Sequence, residues 1–150
     1  MSAIPQVKAR SVQQAKELPP EIYRQAVDQA DLAISITDPK ANILFANAAF
    51  TRVTGYPAEQ LIGMNESLLS DQTTRDGIYQ TMWRELTAQR PWSGKLLNRR
   101  KGGEPYLAEL TISPVLNGHG ETTHFLGMQR DITELHRLER VVLNQKKLIE

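Results

Sequence analysis

The residues best suited to chemistry lie in one short stretch, Leu61-Ile62-Gly63-Met64-Asn65-Glu66-Ser67-Leu68-Leu69-Ser70. Gly63 permits a positive φ and a close backbone approach, so the chain can bend there. An amide, a carboxylate and a hydroxyl follow the bend, and then two leucines. That order fits an apolar pocket with a few polar groups aimed into it. It also fits a solvated helix–loop–helix on the surface, the reading these residues alone favour, and both stay open. In the pocket case the available chemistry is hydrogen bonding and proton exchange with a small molecule. Other chemistries lack their residues. Cysteine is absent, which removes disulfides, thiolate catalysis and cysteine metal sites. No nucleophile–base pair, metal-ligand cluster or phosphate loop is recognisable. The histidines are scattered, His119 in a turn, His124 on a strand and His136 on the last helix, and residues 71–90 hold none.

A chain of 150 residues suits one domain with a single real core. Hydrophobic content of 40%, charged content of 23% and a net charge of +1 describe an ordinary globule. That balance indicates neither direct nucleic-acid binding nor a membrane surface. No apolar run reaches the roughly 18 residues of a spanning helix, and no signal peptide is visible. A cytoplasmic protein without a membrane span is the expectation.

The elements that would position the stretch follow in order. Residues 1–20 are a polar lead ended by Pro19-Pro20, and Pro20 opens a short helix to Gln29 whose apolar side is Ile22, Tyr23, Ala26 and Val27. Residues 32–37 and 42–46 make a β-hairpin around Asp38-Pro39-Lys40-Ala41. On its first strand Ile34 and Ile36 face one way. Ala33, Ser35 and Thr37 face the other, leaving room for something bulky or for a packed helix. Asn47 caps a helix that stops at Gly55, and Pro57 opens another short one. A longer helix runs from Asp71 to about Gln89, with Ile78, Met82 and Leu86 in one row and Tyr79 and Trp83 in another. Its two aromatics read as core or as a pocket wall. Three strands close the sheet as a meander, 92–98, 106–116 and 122–129, with a bulge or strand end at Pro114. A last helix begins at Asp131. Leu135, Leu138, Val142, Gln145 and Ile149 step along it by coiled-coil spacing, so it reads as continuing beyond the sequence.

The landmarks Ile36-Thr37-Asp38, Asn47-Ala48-Ala49-Phe50, Gly55-Tyr56, Lys101-Gly102-Gly103 and Asp131-Ile132-Thr133 together make the chain resemble a PAS domain. The resemblance implies an α+β fold, a five-stranded antiparallel sheet with helices on one face, plus flanking N- and C-terminal helices. The sensor domain would be residues 21–133 and the linker helix 134–150. The flavin-binding light-oxygen-voltage branch keeps the frame of Gly63, Asn65 and Leu69, but has a photoreactive Cys where this chain has Glu66. It matches Leu96-Leu97-Asn98 and Gln129, and has a second Asn where this chain has Ala108. Its two phosphate-holding arginines are replaced by Ser67 and Trp83. Within the family the chain is most like the flavin-binding domains of redox-responsive nitrogen-fixation regulators. That likeness implies non-covalent FAD near Ser35, Thr37, Asn65, Glu66, Ser67, Leu69, Trp83, Leu86, Asn98 and Gln129. Asn98 would address the pyrimidine edge, and Glu66 and Gln129 would relay the signal. It also implies a sensor rather than an enzyme, a homodimer through both terminal helices, downstream domains, and a transcriptional activator bound by the full-length protein. A dimerisation module with haem, another small molecule or no ligand is the other reading.

Overall fold

Asn47 shows why the N-terminal half folds as it does. It is 1% exposed, and its Oδ1 accepts from the backbone N–H groups of Phe50 at 3.0 Å and Ile34 at 2.9 Å. Its amide nitrogen donates to the carbonyls of Val27 and Leu32. One side chain thus caps helix α2 (Ala48–Thr54) and fastens helix α1 (Pro20–Gln29) and strand β1 (Ala33–Thr37) to it. Gly55, at φ 79°, ends α2 in the left-handed region that suits glycine.

The structure is a computed structural model that describes residues 18–72 and 76–149; the lead expected over residues 1–20 falls largely outside them. After α2 come helix α3 (Ala58–Leu61), a 3₁₀ turn (Glu66–Leu69) and helix α4 (Asp76–Thr87). Strands β2 (Ile43–Ala46), β3 (Trp92–Arg99), β4 (Pro105–Leu116) and β5 (Thr122–Asp131) complete a five-stranded sheet, and helix α5 (Thr133–Ile149) leaves it. The strand order is β2-β1-β5-β4-β3, antiparallel throughout. The last strand therefore lies in the centre, paired with the first strand on one side and with β4 on the other.

Alternation on β1 runs as expected. Ala33, Ser35 and Thr37 are buried, and Ile34 and Ile36 keep part of their surface on the outer face. Two apolar clusters hold the helices to the inner face. One joins Ala33, Ile43, Phe50, Leu61 and Leu69, and the other joins Met82, Leu86, Trp92, Leu96, Leu110, Ile112 and Phe125. Burying a side chain of this size contributes about 1.5–3 kcal/mol.

Several boundaries differ from expectation for physical reasons. Asp71 does not open α4. It is 3% exposed, its N–H donates to the Leu97 carbonyl, and its Oδ1 accepts from Arg99 Nε at 3.2 Å. A carboxylate so engaged fastens the chain to β3 instead of capping a helix. Pro114 stays in the ladder opposite Phe125, and the irregularity falls between Val115 and Leu116. The β3 pairing ends at Trp92–Ile112, so Pro114 faces no strand on that side. β5 runs on to Asp131, and α5 starts at Thr133. Ile22 and Tyr23 of α1 are exposed, as are Leu135, Leu138 and Val142 of α5.

Candidate functional site

The segment after α3 is a strap across the inner face of the sheet. Gly63, at φ 88°, donates its N–H to the Ile43 carbonyl, and Ile43 N–H returns a bond to the Met64 carbonyl. Asn42 bridges Asn65 at one end of the strap, and Ser70 bridges Asn98 at the other. Asn65 holds the near end through its side chain. Its Nδ2 donates to Lys40 O at 2.8 Å and Asn42 Oδ1 at 3.1 Å, and its Oδ1 caps the 3₁₀ turn through Ser67 N–H. That turn aims Glu66 inward.

Under the strap, between the sheet and α4, lies a cavity of about 360 Å³, within the range of small-molecule and cofactor sites. Thr37, Asn65, Glu66, Ser67, Leu69, Trp83, Leu86, Asn98 and Gln129 all line it. The structure thus brings these sequence-predicted residues to one wall-to-wall space. Ser35 sits just behind the wall and donates its hydroxyl proton to Glu66 Oε1. Burial pushes the Glu66 carboxyl above its ordinary value, and the Ser35 hydrogen bond pulls weakly the other way. Most of the remaining lining is apolar: Met82, Leu96, Leu110, Ile112 and Phe125. Trp83 is 38% exposed at the rim, with its ring edge-on to Phe125 at 5.8 Å. Tyr79 on the same helix reaches Ser70 Oγ at 3.1 Å, tying α4 to the strap.

Three residues of the site carried no signal in the sequence reading. Gly127 forms part of the floor; a Cβ there would stand 2.8 Å from Ser35 Oγ and 3.8 Å from Glu66 Oε1. Lys40 stands in the cavity lining beside Ala41, on the hairpin turn that Asp38 organises by accepting from Lys40 N–H and Asn42 N–H. Tyr106, 1% exposed, donates to Gln129 Oε1 at 2.8 Å. Burial pushes its phenol up to about 12. The Lys40 turn was legible as a turn, but only the folded hairpin brings its tip to the cavity.

Chemically, the site is a largely apolar cavity with one inward carboxyl, its hydroxyl donor and two buried amides, Asn98 and Gln129. It can recognise a flat, polar-edged molecule and exchange a proton with it. None of the three histidines lines it. Among the described residues no cluster of His, Asp and Glu could hold a metal ion. Nor, among those residues, is any helix long and apolar enough to cross a membrane.

A helix-covered antiparallel sheet with a ligand-sized cavity beneath, and a helix leaving its central strand, defines a sensory signalling module. The chain belongs to the PAS fold family, whose model matches residues 21–132. It is 43% identical over 149 residues to the nitrogen fixation regulatory protein (NifL) of Klebsiella oxytoca, covering 99% of this chain and 30% of that protein. It is 34% identical over 130 residues to a blue-light-activated histidine kinase of Brucella canis, covering 84% of this chain and 27% of the kinase. The chain therefore spans less than a third of the length of these curated relatives. Among solved structures, an RNA-binding light-oxygen-voltage receptor matches with a TM-score of 0.77 at 30% identity, over 89% of this chain and 38% of that one.

Proposed function

We propose that the domain is a redox- and oxygen-responsive sensor that holds FAD without a covalent bond and passes its redox state to downstream domains. The observation that carries this reading is a carboxyl raised by burial, Glu66, set with the buried amides of Asn98 and Gln129 around one largely apolar cavity. The residues fit a flavin. Leu96, Leu110 and Phe125 offer apolar contact, and Gly127 leaves room in the floor for the Ser35–Glu66 pair, which a Cβ there would meet. Asn98 would address the pyrimidine edge. Lys40 and Trp83 stand where a diphosphate and an adenine could be led toward solvent, as a charge and a stacking surface. The likeness to the nitrogen fixation regulatory protein and to light-oxygen-voltage receptors supports a flavin. With Glu66 in place of a cysteine, no thiol adduct can form on this chain.

A bound flavin supplies electron uptake and release coupled to protons, its ring N5 accepting a hydrogen bond when oxidised and donating one when reduced. Glu66, its carboxyl raised by burial, can keep or yield a proton beside the ring. Gln129 carries both a donor and an acceptor and can answer either state. It lies two residues before Asp131, whose Oδ1 accepts from Thr133 N–H at the start of α5. The exposed apolar residues of α1 and α5 support a homodimer through the terminal helices. By likeness, the full-length protein would bind a transcriptional activator. A cytoplasmic location fits this role.

Heat denaturation of the purified protein should release a flavin that chromatographs as FAD. FMN, or no flavin, would overturn the proposal. A haem Soret band in its place would favour another member of the ligand range, though no histidine lines the cavity to ligate iron.

A further inference from the structure

The Tyr106–Gln129 contact joins residues that do not face each other across the ladder. Gln129 pairs with Leu110, and Tyr106 pairs across β3 with Asn98. Tyr106, Ala108 and Leu110 share the buried face of β4. Between the tyrosine and the row of Leu110 lies Ala108, 0% exposed, whose methyl group leaves space for the larger ring to lean along the strand. The Tyr106 hydroxyl so reaches Gln129 Oε1, and Asn98, its partner across the β3 ladder, lies beside it on the same buried face. Tyr106 thus bonds one of the two buried amides of the cavity wall, Gln129, and neighbours the other, Asn98.

A phenol has a single proton to donate. Given to Gln129 Oε1, it leaves the amino end of that amide to the cavity, as a donor. To reverse the amide, the hydroxyl would have to accept from Gln129 and send its own proton elsewhere. Asn98, its partner across the ladder, would have to take it.

We propose that Tyr106 is a positioning residue whose hydroxyl fixes the Gln129 amide donor-side to the cavity and makes its reversal depend on Asn98. This rests on the flavin reading and deepens it: the pocket at rest is set for a ring atom that accepts, and reduction must work against that setting. Tyr106 also touches the way out. Arg100 lies over its ring at 4.5 Å from the centroid. The same guanidinium donates to Asp131 Oδ2 and to the Val53 carbonyl, each at 2.6 Å. A change in the Tyr106 hydrogen bond therefore reaches the cap of α5 and the end of α2 through side chains, with no strand sliding.

Tyr106→Phe keeps the ring and the arginine stack and deletes only the hydroxyl. The readout is the flavin midpoint potential of the whole chain as purified. With the donor-side setting released, the oxidised/reduced ratio at fixed potential should move about tenfold toward reduced, some 30 mV more positive for a two-electron couple. Combined with Gln129→Leu, the same substitution should move nothing. A potential unmoved by Tyr106→Phe alone, or moved equally in both backgrounds, overturns the positioning role. Should Tyr106→Phe fail to fold or to keep its flavin, the wild-type protein carries the test. With ¹³C-labelled glutamine, infrared spectra of the oxidised protein should contain a hydrogen-bonded side-chain carbonyl band that Gln129→Leu removes. A carbonyl at the free frequency overturns the lock. Wild-type protein that carries no flavin overturns the cofactor reading and this inference together. Flavin-loaded protein with an unmoved potential overturns the positioning role alone.

Discussion

Replacing Glu66 with glutamine keeps the side chain's shape and an acceptor for Ser35, and removes only the ability to carry charge. Burial raises the Glu66 carboxyl above its ordinary 4.5, against the weaker pull of the Ser35 hydrogen bond. A carboxyl raised in the native state binds its proton more tightly there than in the unfolded chain. Below the ordinary value both states hold the proton, and the stabilising contribution is fully present. As pH rises from there through the native value, the unfolded chain ionises first and stability is lost. The slope for one group is at most about 1.4 kcal/mol per pH unit. Above the native value the loss stops growing. The glutamine variant has no such titration. Urea unfolding of the ligand-stripped protein from about pH 4 to about pH 8 gives the stability difference, variant minus wild type. It should start near zero, climb with that slope and level off in favour of Glu66→Gln. Parallel stability curves, or a difference that falls with pH, would refute a carboxyl raised by burial.

Gly127→Ala puts a Cβ 2.8 Å from Ser35 Oγ; it should cost about 1–3 kcal/mol in thermal or urea unfolding, and an unchanged midpoint would show that the floor can shift. Lys40→Ala should loosen FAD several-fold at low salt, with the gap closing as salt is added, while riboflavin is held as before; equal losses for both ligands would place Lys40 away from the diphosphate. Ending the chain at Arg137 removes most of the exposed stripe of α5, including Leu138 and Val142. Sedimentation should then show weaker self-association, and an undiminished dimer would move the main contact elsewhere.

Local signals were legible wherever a residue acts on its own neighbours. Asn47 and Gly55 marked both ends of α2 because capping and positive φ are properties of one or two adjacent residues. Alternation on β1 identified the small-residue face for the same reason. Asp71 misled because an acid before a helical pattern looks like a first-turn residue. Its partner Arg99 is 28 positions away and is known only from the folded strap. Tyr106 was invisible as chemistry because its hydroxyl acts on a diagonal, past Ala108 to a residue whose ladder partner is Leu110. Gly127 was silent too, since what it accommodates, the Ser35–Glu66 pair, comes from two other elements. The Glu66 stretch needed the strap's two end bridges before a pocket could be told from a surface loop.

The site offers a signal two ways out, and the structure makes them mechanically unequal. Gln129 stands on β5, which is laddered on both sides, to β1 through Ala33–Thr37 and to β4 through Ala108–Leu116. Sliding that strand would break bonds in two ladders at once and turn inward side chains outward. A message starting at Gln129 is therefore best carried by side chains that re-pair in place. The Tyr106–Arg100–Asp131 contacts supply such a route, ending on the N–H of Thr133. Glu66 stands on the strap, which crosses the cavity between two single bridges and a few backbone bonds. Segments with so few bonds open at low free-energy cost. A change of charge at Glu66 would lift the strap more readily than it would disturb β5. With the proposed flavin in the cavity, Glu66 and Gln129 would then report one redox event in two forms. One is an outward movement at the cavity mouth near Lys40. The other is an exchange of hydrogen bonds at the root of α5, where one bond of about 1 kcal/mol biases a two-state helix several-fold.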